Sequence, residues 1–188
     1  MIQFHSRTLN LEVVLTKKFN PNEIGEYIRS FKGQLLPEPV FNALAETMAL
    51  PYVELVIFNA RTRHQQQVLL TRRGENDPYF PNLWHVPGTL LRSSDVTFRG
   101  TDLGVAIKRL LDDELQGLEV EHLTFSGFHF HKVARGVGLS LVLVALAKGK
   151  PKVGQYHRVN HLPDDMIQEQ EAFIYKAVRD HKPWDHHP

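Results

Sequence analysis

A chain of 188 residues is long enough for one domain with a buried core. Its 22 basic and 21 acidic residues give a formal net charge of +1, so the charge balance favours neither a nucleic-acid nor a membrane partner. The absence of cysteine excludes disulfides, thiolate zinc sites and cysteine nucleophiles. The N-terminal residues lack the apolar core of a signal peptide, and the longest apolar run, residues 137–147, is too short to span a bilayer. We therefore expect a cytoplasmic protein.

Residues 1–51 are predicted to contain a strand and two helices. The strand is the short, β-rich segment 11–16, and Asn20 caps a helix whose first residue is Pro21. A second helix is predicted over residues 40–49. We expect this segment to be an N-terminal extension, and two alternatives stay open: it packs on the remaining domain, or it forms the contact of a homodimer.

Residues 52–188 are predicted to form the main domain. Its first two strands, 53–58 and 67–72, form a hairpin across the polar turn 61–66. The later elements are an extended segment at 83–91, a helix over 101–115, strands at 122–132, 138–147 and 156–160, and a C-terminal helix over 165–181. Strands mixed with helices in this way indicate an α/β or α+β fold.

The segment from residue 68 to residue 118 carries the motifs that bear on chemistry. A strand, Val68-Leu69-Leu70-Thr71-Arg72-Arg73, leads to the turn Leu83-Trp84-His85-Val86-Pro87-Gly88, and a helix with Arg109, Asp113 and Glu114 follows. This resembles the Nudix hydrolase family, in which a strand of the type LLxxR leads to WxxPGG. In that family, a loop and helix carry G-x5-E-x7-R-E-U-x-E-E-x-G-U, where U is aliphatic. The resemblance implies an α/β/α sandwich with a mixed sheet, here with the N-terminal strand-helix-helix extension.

The match to the family signature is partial. Arg109 takes the signature arginine, Leu111 the aliphatic position, and Asp113 and Glu114 the paired acids. The glutamate expected directly after the arginine is Leu110. The earlier signature glutamate is Thr101, the second glycine of PGG is Thr89, and the loop is longer than the family pattern within residues 92–99. Asp95 and Asp102 in that loop are candidate replacements for the missing carboxylates.

The paired acids suggest a metal site. Several carboxylates on one helix face form an oxygen-rich site of the kind that Mg²⁺ or Mn²⁺ prefers. Such a metal polarises a diphosphate and helps to generate a hydroxide nucleophile. The resemblance implies that Asp113 and Glu114 hold this metal, with Arg109 bracing the loop. The bland alternative is that residues 112–114 are a solvated helix face.

Three further residues are predicted to contact the substrate. Arg72 and Arg73 stand at a strand end where they would receive a phosphate, and Gly88 belongs to the turn that would face it. Equally, the two arginines are ordinary surface cations flanking a strand. His129 and His131 share a strand face at a spacing compatible with metal ligation, but a polar strand face is the favoured interpretation.

Two functional hypotheses follow from the sequence. In the first, the chain is a hydrolase that cleaves the pyrophosphate bond of a nucleoside diphosphate linked to another moiety, by metal-assisted attack of water. In the second, it is a catalytically inactive Nudix-fold module that binds a nucleotide or a protein partner. The retained Arg109, Asp113 and Glu114 favour the first, and the losses at Leu110 and Thr101 favour the second.

Overall fold

The computed structural model describes residues 20–32, 34–59, 67–95, 103–133 and 136–180. Contacts divide the chain into two compact units, residues 1–36 and 37–188. The predicted strand at 11–16 and the predicted turn at 61–66 lie outside the described residues. Among those that are described, no helix is both long enough and apolar enough to cross a membrane.

The first unit contains the helix α1, Pro21–Arg29. The Asn20 side chain accepts a hydrogen bond from the Asn22 backbone at 3.0 Å, and Pro21 opens the helix, so the predicted cap is confirmed. Its apolar residues Ile24, Tyr27 and Ile28 are exposed.

The described residues of the second unit form a mixed sheet and three further helices. In chain order its elements are α2 (Glu38–Thr47), β1 (Leu50–Asn59), β2 (Gln67–Arg72), β3 (Trp84–His85), β4 (Gly88–Leu90), a 3₁₀ turn (Ser93–Asp95), α3 (Gly104–Asp113), β5 (Leu118–Val133), β6 (Gly136–Gly149), β7 (Gln155–Arg158) and α4 (Gln168–Asp180). The helix α2 thus belongs with the sheet, although the sequence prediction placed it in the extension 1–51. The proposed role of that extension stays a prediction.

The sheet has the strand order β3-β2-β1-β6-β5. The strand β1 runs parallel to β6 along its whole length, and the other pairings between two strands are antiparallel. The end of β1 pairs with β2 and its beginning with β4, where Glu54 stands opposite Gly88. The predicted antiparallel pairing of the first two strands is therefore observed. The strand β4 lies on the same edge of β1 as β2 and pairs with the first half of β1.

Helices pack on both faces of this sheet. Alternate residues of a strand point to opposite sides, so apolar residues of β1 are presented to a helix on each face. Val53, Leu55 and Ile57 of β1 pack with Ala106, Ile107 and Leu110 of α3. Val56 and Phe58 of β1 pack with Phe173, Ile174 and Ala177 of α4. This α/β/α arrangement, with a mixed sheet in the middle, is the architecture predicted from the sequence.

One part of the sheet surface carries large exposed apolar side chains. Large side chains of β5 and β6 are exposed there, and we call them the aromatic face: Leu123, Phe125, Phe128, Phe130 and Val137. The rings of Phe125 and Phe128 meet edge to face, with centroids 5.0 Å apart.

Candidate functional site

Arg109 fastens helix α3 to the loop in front of it. Its Nη2 donates to Asp95 Oδ2 at 2.6 Å and to the Leu90 carbonyl at 3.1 Å, and its Nη1 donates to Thr89 Oγ1 at 2.6 Å. Thr89 and Leu90 belong to β4, and Asp95 ends the 3₁₀ turn. One guanidinium therefore ties three successive pieces of chain together.

Asp95 is the buried partner of Arg109 and is only 2% exposed. It also accepts a hydrogen bond from the Arg92 backbone at 2.8 Å. Burial alone would raise the pKa of Asp95, but the hydrogen bonds and charges of Arg109 and Arg92 outweigh it and hold the pKa below its ordinary value. Asp95 is thus an ionised partner of Arg109. The other candidate carboxylate of the long loop, Asp102, lies outside the described residues.

The paired acids stand where α3 ends. Asp113 is the last helical residue and is exposed, whereas Glu114 caps the helix and is half-buried. Burial is the largest effect on Glu114 and raises its pKa, and the negative charge of Asp113 raises it further. The positive charges of Arg73 and Arg109 lower the pKa but do not outweigh burial. Glu114 therefore lies among one negative and two positive groups.

Leu110 lies in the core, and the sequence alone did not reveal this. It is 1% exposed and packs in the cluster between α3 and β1. The leucine that replaces the signature glutamate therefore does not project an apolar group into an open metal site. It serves instead as one of the contacts that hold the helix on the sheet.

Two carboxylates stand at the positions for which the sequence predicts a metal site, Asp113 and Glu114. Within the residues that the structure describes, no three histidine or acidic side chains are grouped to hold a metal ion. Asp113 and Glu114 still offer oxygen donors, and each carboxylate repels the charge of the other. This donor set fits a hard divalent cation such as Mg²⁺, which commonly keeps several waters and takes few protein ligands.

The two neighbouring arginines have different surroundings. Arg72 is exposed, pairs with Asp165 at 3.1 Å, donates to the Asn82 carbonyl at 2.7 Å and lies 5.5 Å from the Trp84 ring centroid. Arg73 Nη1 lies 3.6 Å from Asp77 Oδ2. The positive charge of Arg73 also acts on Glu114 and lowers its pKa. The buried Nε of Arg73 has no hydrogen-bond partner in the described part of the chain. Arg73 is thus the arginine associated with the paired acids.

Position 88 has no room for a side chain, because the carboxylate of Glu54 occupies the space that a Cβ would need. A Cβ at this position would lie 2.0 Å from Glu54 Oε2. Glu54 is itself only 6% exposed, with Ser140 Oγ and Gln170 Nε2 at 3.5 Å from its oxygens. The sequence interpretation missed Glu54 by treating it as one residue of a buried strand, although a carboxylate within an apolar run was a usable signal.

Gln170 connects this carboxylate to the turn before β4. Its Oε1 accepts a hydrogen bond from the Val86 backbone at 2.8 Å, which leaves its Nε2 to face Glu54. The turn Pro87-Gly88 is therefore positioned from α4 as well as from α3. Glu54 and Gln170 thus take part in positioning Gly88, for which the sequence predicted a substrate contact.

His129 and His131 share a strand face, as the spacing predicts. Both rings lie against Phe173 of α4, at centroid distances of 4.8 and 6.1 Å. Burial lowers the pKa of His129, and the charge of Lys176 lowers it further. Burial also lowers the pKa of His131, with Glu169 opposing. The two imidazoles are therefore packing residues under α4, held towards the neutral form.

His85 is a buried histidine in the motif next to the site. Its Nδ1 lies 2.8 Å from the Val86 carbonyl, so this nitrogen donates, and its Nε2 then accepts from the Thr71 hydroxyl at 3.0 Å. Burial lowers the pKa of His85 from 6.5 to about 4, and the charge of Arg73 contributes to the lowering. Both ring nitrogens are hydrogen-bonded when the ring is neutral.

This lowered pKa predicts a pH dependence of stability. Between pH 6.5 and about 4 the unfolded chain binds a proton at His85 that the folded protein does not. Stability should therefore fall as the pH drops through this window, by about 3 kcal/mol for His85 alone. We would measure the free energy of unfolding in urea at a series of pH values. In His85→Gln, this free energy should no longer show the part of its pH dependence that comes from His85. The exposed His161→Gln is the control, and equal slopes in wild type and His85→Gln would contradict the assignment.

Comparisons with known proteins identify the fold. No protein-family model matches the sequence, and no curated protein sequence matches it either. The chain is similar to the MutT Nudix hydrolase of Burkholderia pseudomallei, with 20% identity and a TM-score of 0.50 over 67% of this chain and 97% of that chain. It is similar to the MutT protein of Methanosarcina mazei Go1, with 16% identity and a TM-score of 0.52 over 71% and 96% of the two chains.

A third structure is the complex between the C-terminal domain of mouse MUTYH and human PCNA. A chain of this complex matches with 15% identity and a TM-score of 0.53 over 72% of this chain and 91% of that chain. At these identities the likenesses show the fold alone. The chain has the Nudix fold, an α/β/α sandwich with a mixed sheet, as the resemblance of its motifs predicts.

Proposed function

Because the chain has the Nudix fold, we propose that the site at the end of α3 acts on a nucleoside diphosphate linked to another moiety and cleaves its pyrophosphate bond. One observation carries the proposal. Glu114 is half-buried beside Asp113 and is surrounded by the charges of Arg73 and Arg109. Carboxylates for a metal and a cation for a phosphate are therefore close together.

The paired acids would hold the metal. Asp113 and Glu114 supply oxygen ligands for Mg²⁺ or Mn²⁺. A bound divalent cation would polarise the diphosphate and lower the pKa of water. The half-buried position of Glu114 strengthens its electrostatic interaction with a cation, because less water screens it.

The arginines divide the remaining tasks. Arg73 is the group proposed to receive a phosphate, since its side chain is partly exposed and its charge acts on Glu114. Arg109 already donates to Asp95, Thr89 and Leu90, so we assign it a positioning role for β4 and for the loop before α3. Arg72 is engaged with Asp165 and Asn82, so we assign it no part in the proposed mechanism, and its predicted substrate contact stays a prediction.

Titration calorimetry tests the metal site. Mg²⁺ and Mn²⁺ are titrated into the metal-free protein with and without ADP-ribose, and the release of AMP is followed in parallel. We expect Glu114→Gln to weaken metal binding at least about tenfold. Asp112→Asn is the matched control, because Asp112 belongs to the same acidic run but is exposed and paired with Lys108. Equal metal binding and turnover in wild type and Glu114→Gln would contradict the role of Glu114.

A second candidate function is a module that binds a nucleotide or a protein without catalysis. Leu110 in the core and Asp95 paired with Arg109 favour it, because both positions lack a carboxylate free for a metal. The same titration separates the two: ADP-ribose binding without AMP release supports the module, and metal-dependent AMP release excludes it. That nucleic acid is not a partner remains a prediction.

A further inference from the structure

The aromatic face is a coherent apolar surface on one side of the sheet. Phe130 is 75% exposed, Phe128 61% and Phe125 49%. Phe128 stands opposite Leu141, Phe130 opposite Leu139 and Phe125 opposite Leu143. Since Leu143 packs in the α3 cluster, all of these side chains project from the α3 side of the sheet.

The lengths of the described elements explain why helix α3 leaves this surface exposed. The helix α3 has 10 residues, which is a length of about 15 Å. The strand β5 has 16 residues and is about 50 Å long. The irregularity between Phe125 and Gly127 brings Phe125 and Phe128 to the same side, beyond the reach of the helix. No other described helix packs in the cluster on this side of the sheet.

The area of the surface matches a small interface. With about 200 Å² for a complete phenylalanine side chain and somewhat less for leucine and valine, the aromatic face exposes roughly 500 Å² in one copy. This is near the upper end of the patches on ordinary monomers, about 300–600 Å², which are often functional. Two such faces packed together would bury about 1,000 Å², which is the lower limit for a specific interface and the size of a weak dimer contact.

We propose that the aromatic face is the contact between two copies of this chain. An isologous contact uses the same patch on both copies, so one self-complementary apolar surface is sufficient. The formal charge of +1 leaves little long-range repulsion between copies. Two sheets then pack face to face, with the phenylalanines of one copy between those of the other. This inference does not rest on the proposed function.

Light scattering coupled to gel filtration tests the interface. The wild type is expected to dimerise with increasing concentration, and the double variant Phe128→Ser/Phe130→Ser is expected to stay monomeric with unchanged circular dichroism. Tyr175→Ser is the matched control, because Tyr175 is a half-exposed aromatic residue on α4. A wild type that is monomeric at every concentration overturns the proposal, and so does a dimer that survives the double substitution.

A cysteine variant keeps the proposal testable even if the serine variant fails to fold. The chain has no cysteine, so a single introduced thiol can be cross-linked only to a second copy. Phe128→Cys is expected to give a dimer with a short bismaleimide reagent, and Tyr175→Cys is expected to give little. Equal cross-linking of the two variants overturns the proposal.

Discussion

Replacing Leu110 with glutamate is expected to destabilise the protein by about 4 kcal/mol or more, instead of repairing the metal site. The substitution removes a core side chain, which alone costs about 2–5 kcal/mol, and it introduces a carboxylate that has to be buried or protonated. Leu110 is 1% exposed in the cluster formed by α3 and β1. The free energy of unfolding from urea titration at neutral pH measures the effect.

Two substitutions serve as controls for this experiment. Val105→Glu places the same charge on the exposed side of α3 and should change stability by no more than about 0.5 kcal/mol. Leu110→Met conserves volume and should cost less than about 1.5 kcal/mol. A stable Leu110→Glu variant with increased metal affinity would instead mean that this position reaches the proposed site.

Replacing Arg109 with methionine should cost about 3–5 kcal/mol. It leaves Asp95 buried without its cation, and loss of one partner of a buried ion pair typically has this effect. The matched control is Lys108→Met on the same helix. Lys108 pairs with Asp112 on the surface, where an ion pair contributes only about 0–1 kcal/mol.

The cost of Arg109→Met should also depend on pH. The pKa of Asp95 is held below its ordinary 3.8, so the stabilisation it contributes is present above that value and is lost as the pH falls through the lowered pKa. The difference between wild type and variant should therefore shrink in acid. A pH-independent difference, or one no larger than that of Lys108→Met, would rule out the proposed brace.

The elements of this fold were largely predictable because local patterns specify them. The asparagine and proline at the start of α1 are capping signals that act within a few residues. The predicted helix at 165–181 is observed as α4, Gln168–Asp180, with only its ends shifted. The predicted extended segment 83–91 is interrupted after His85 and continues at Gly88, so it is observed as β3 and β4.

The arrangement of the site was less predictable because it depends on contacts between distant residues. Whether Leu110 faces the core or a metal depends on the rotation of α3 against the sheet, and the helical period alone left both open. The pair Arg109 and Asp95 forms across the long loop. Glu54 meets Gly88 only because β1 and β4 are neighbours in the sheet, and that pairing is a property of the folded chain.

The strand β4 is held from both layers of the sandwich. On one side Arg109 donates hydrogen bonds to Thr89 and Leu90. On the other side Gln170 accepts a hydrogen bond from the Val86 backbone, in the turn that leads into β4. A strand of only three residues has few ladder bonds of its own, so these side chains add to the free energy of its local opening. Loosening either helix therefore releases the same turn. The order of the site is consequently a cooperative property of two helices that pack in different clusters on the two sides of the sheet.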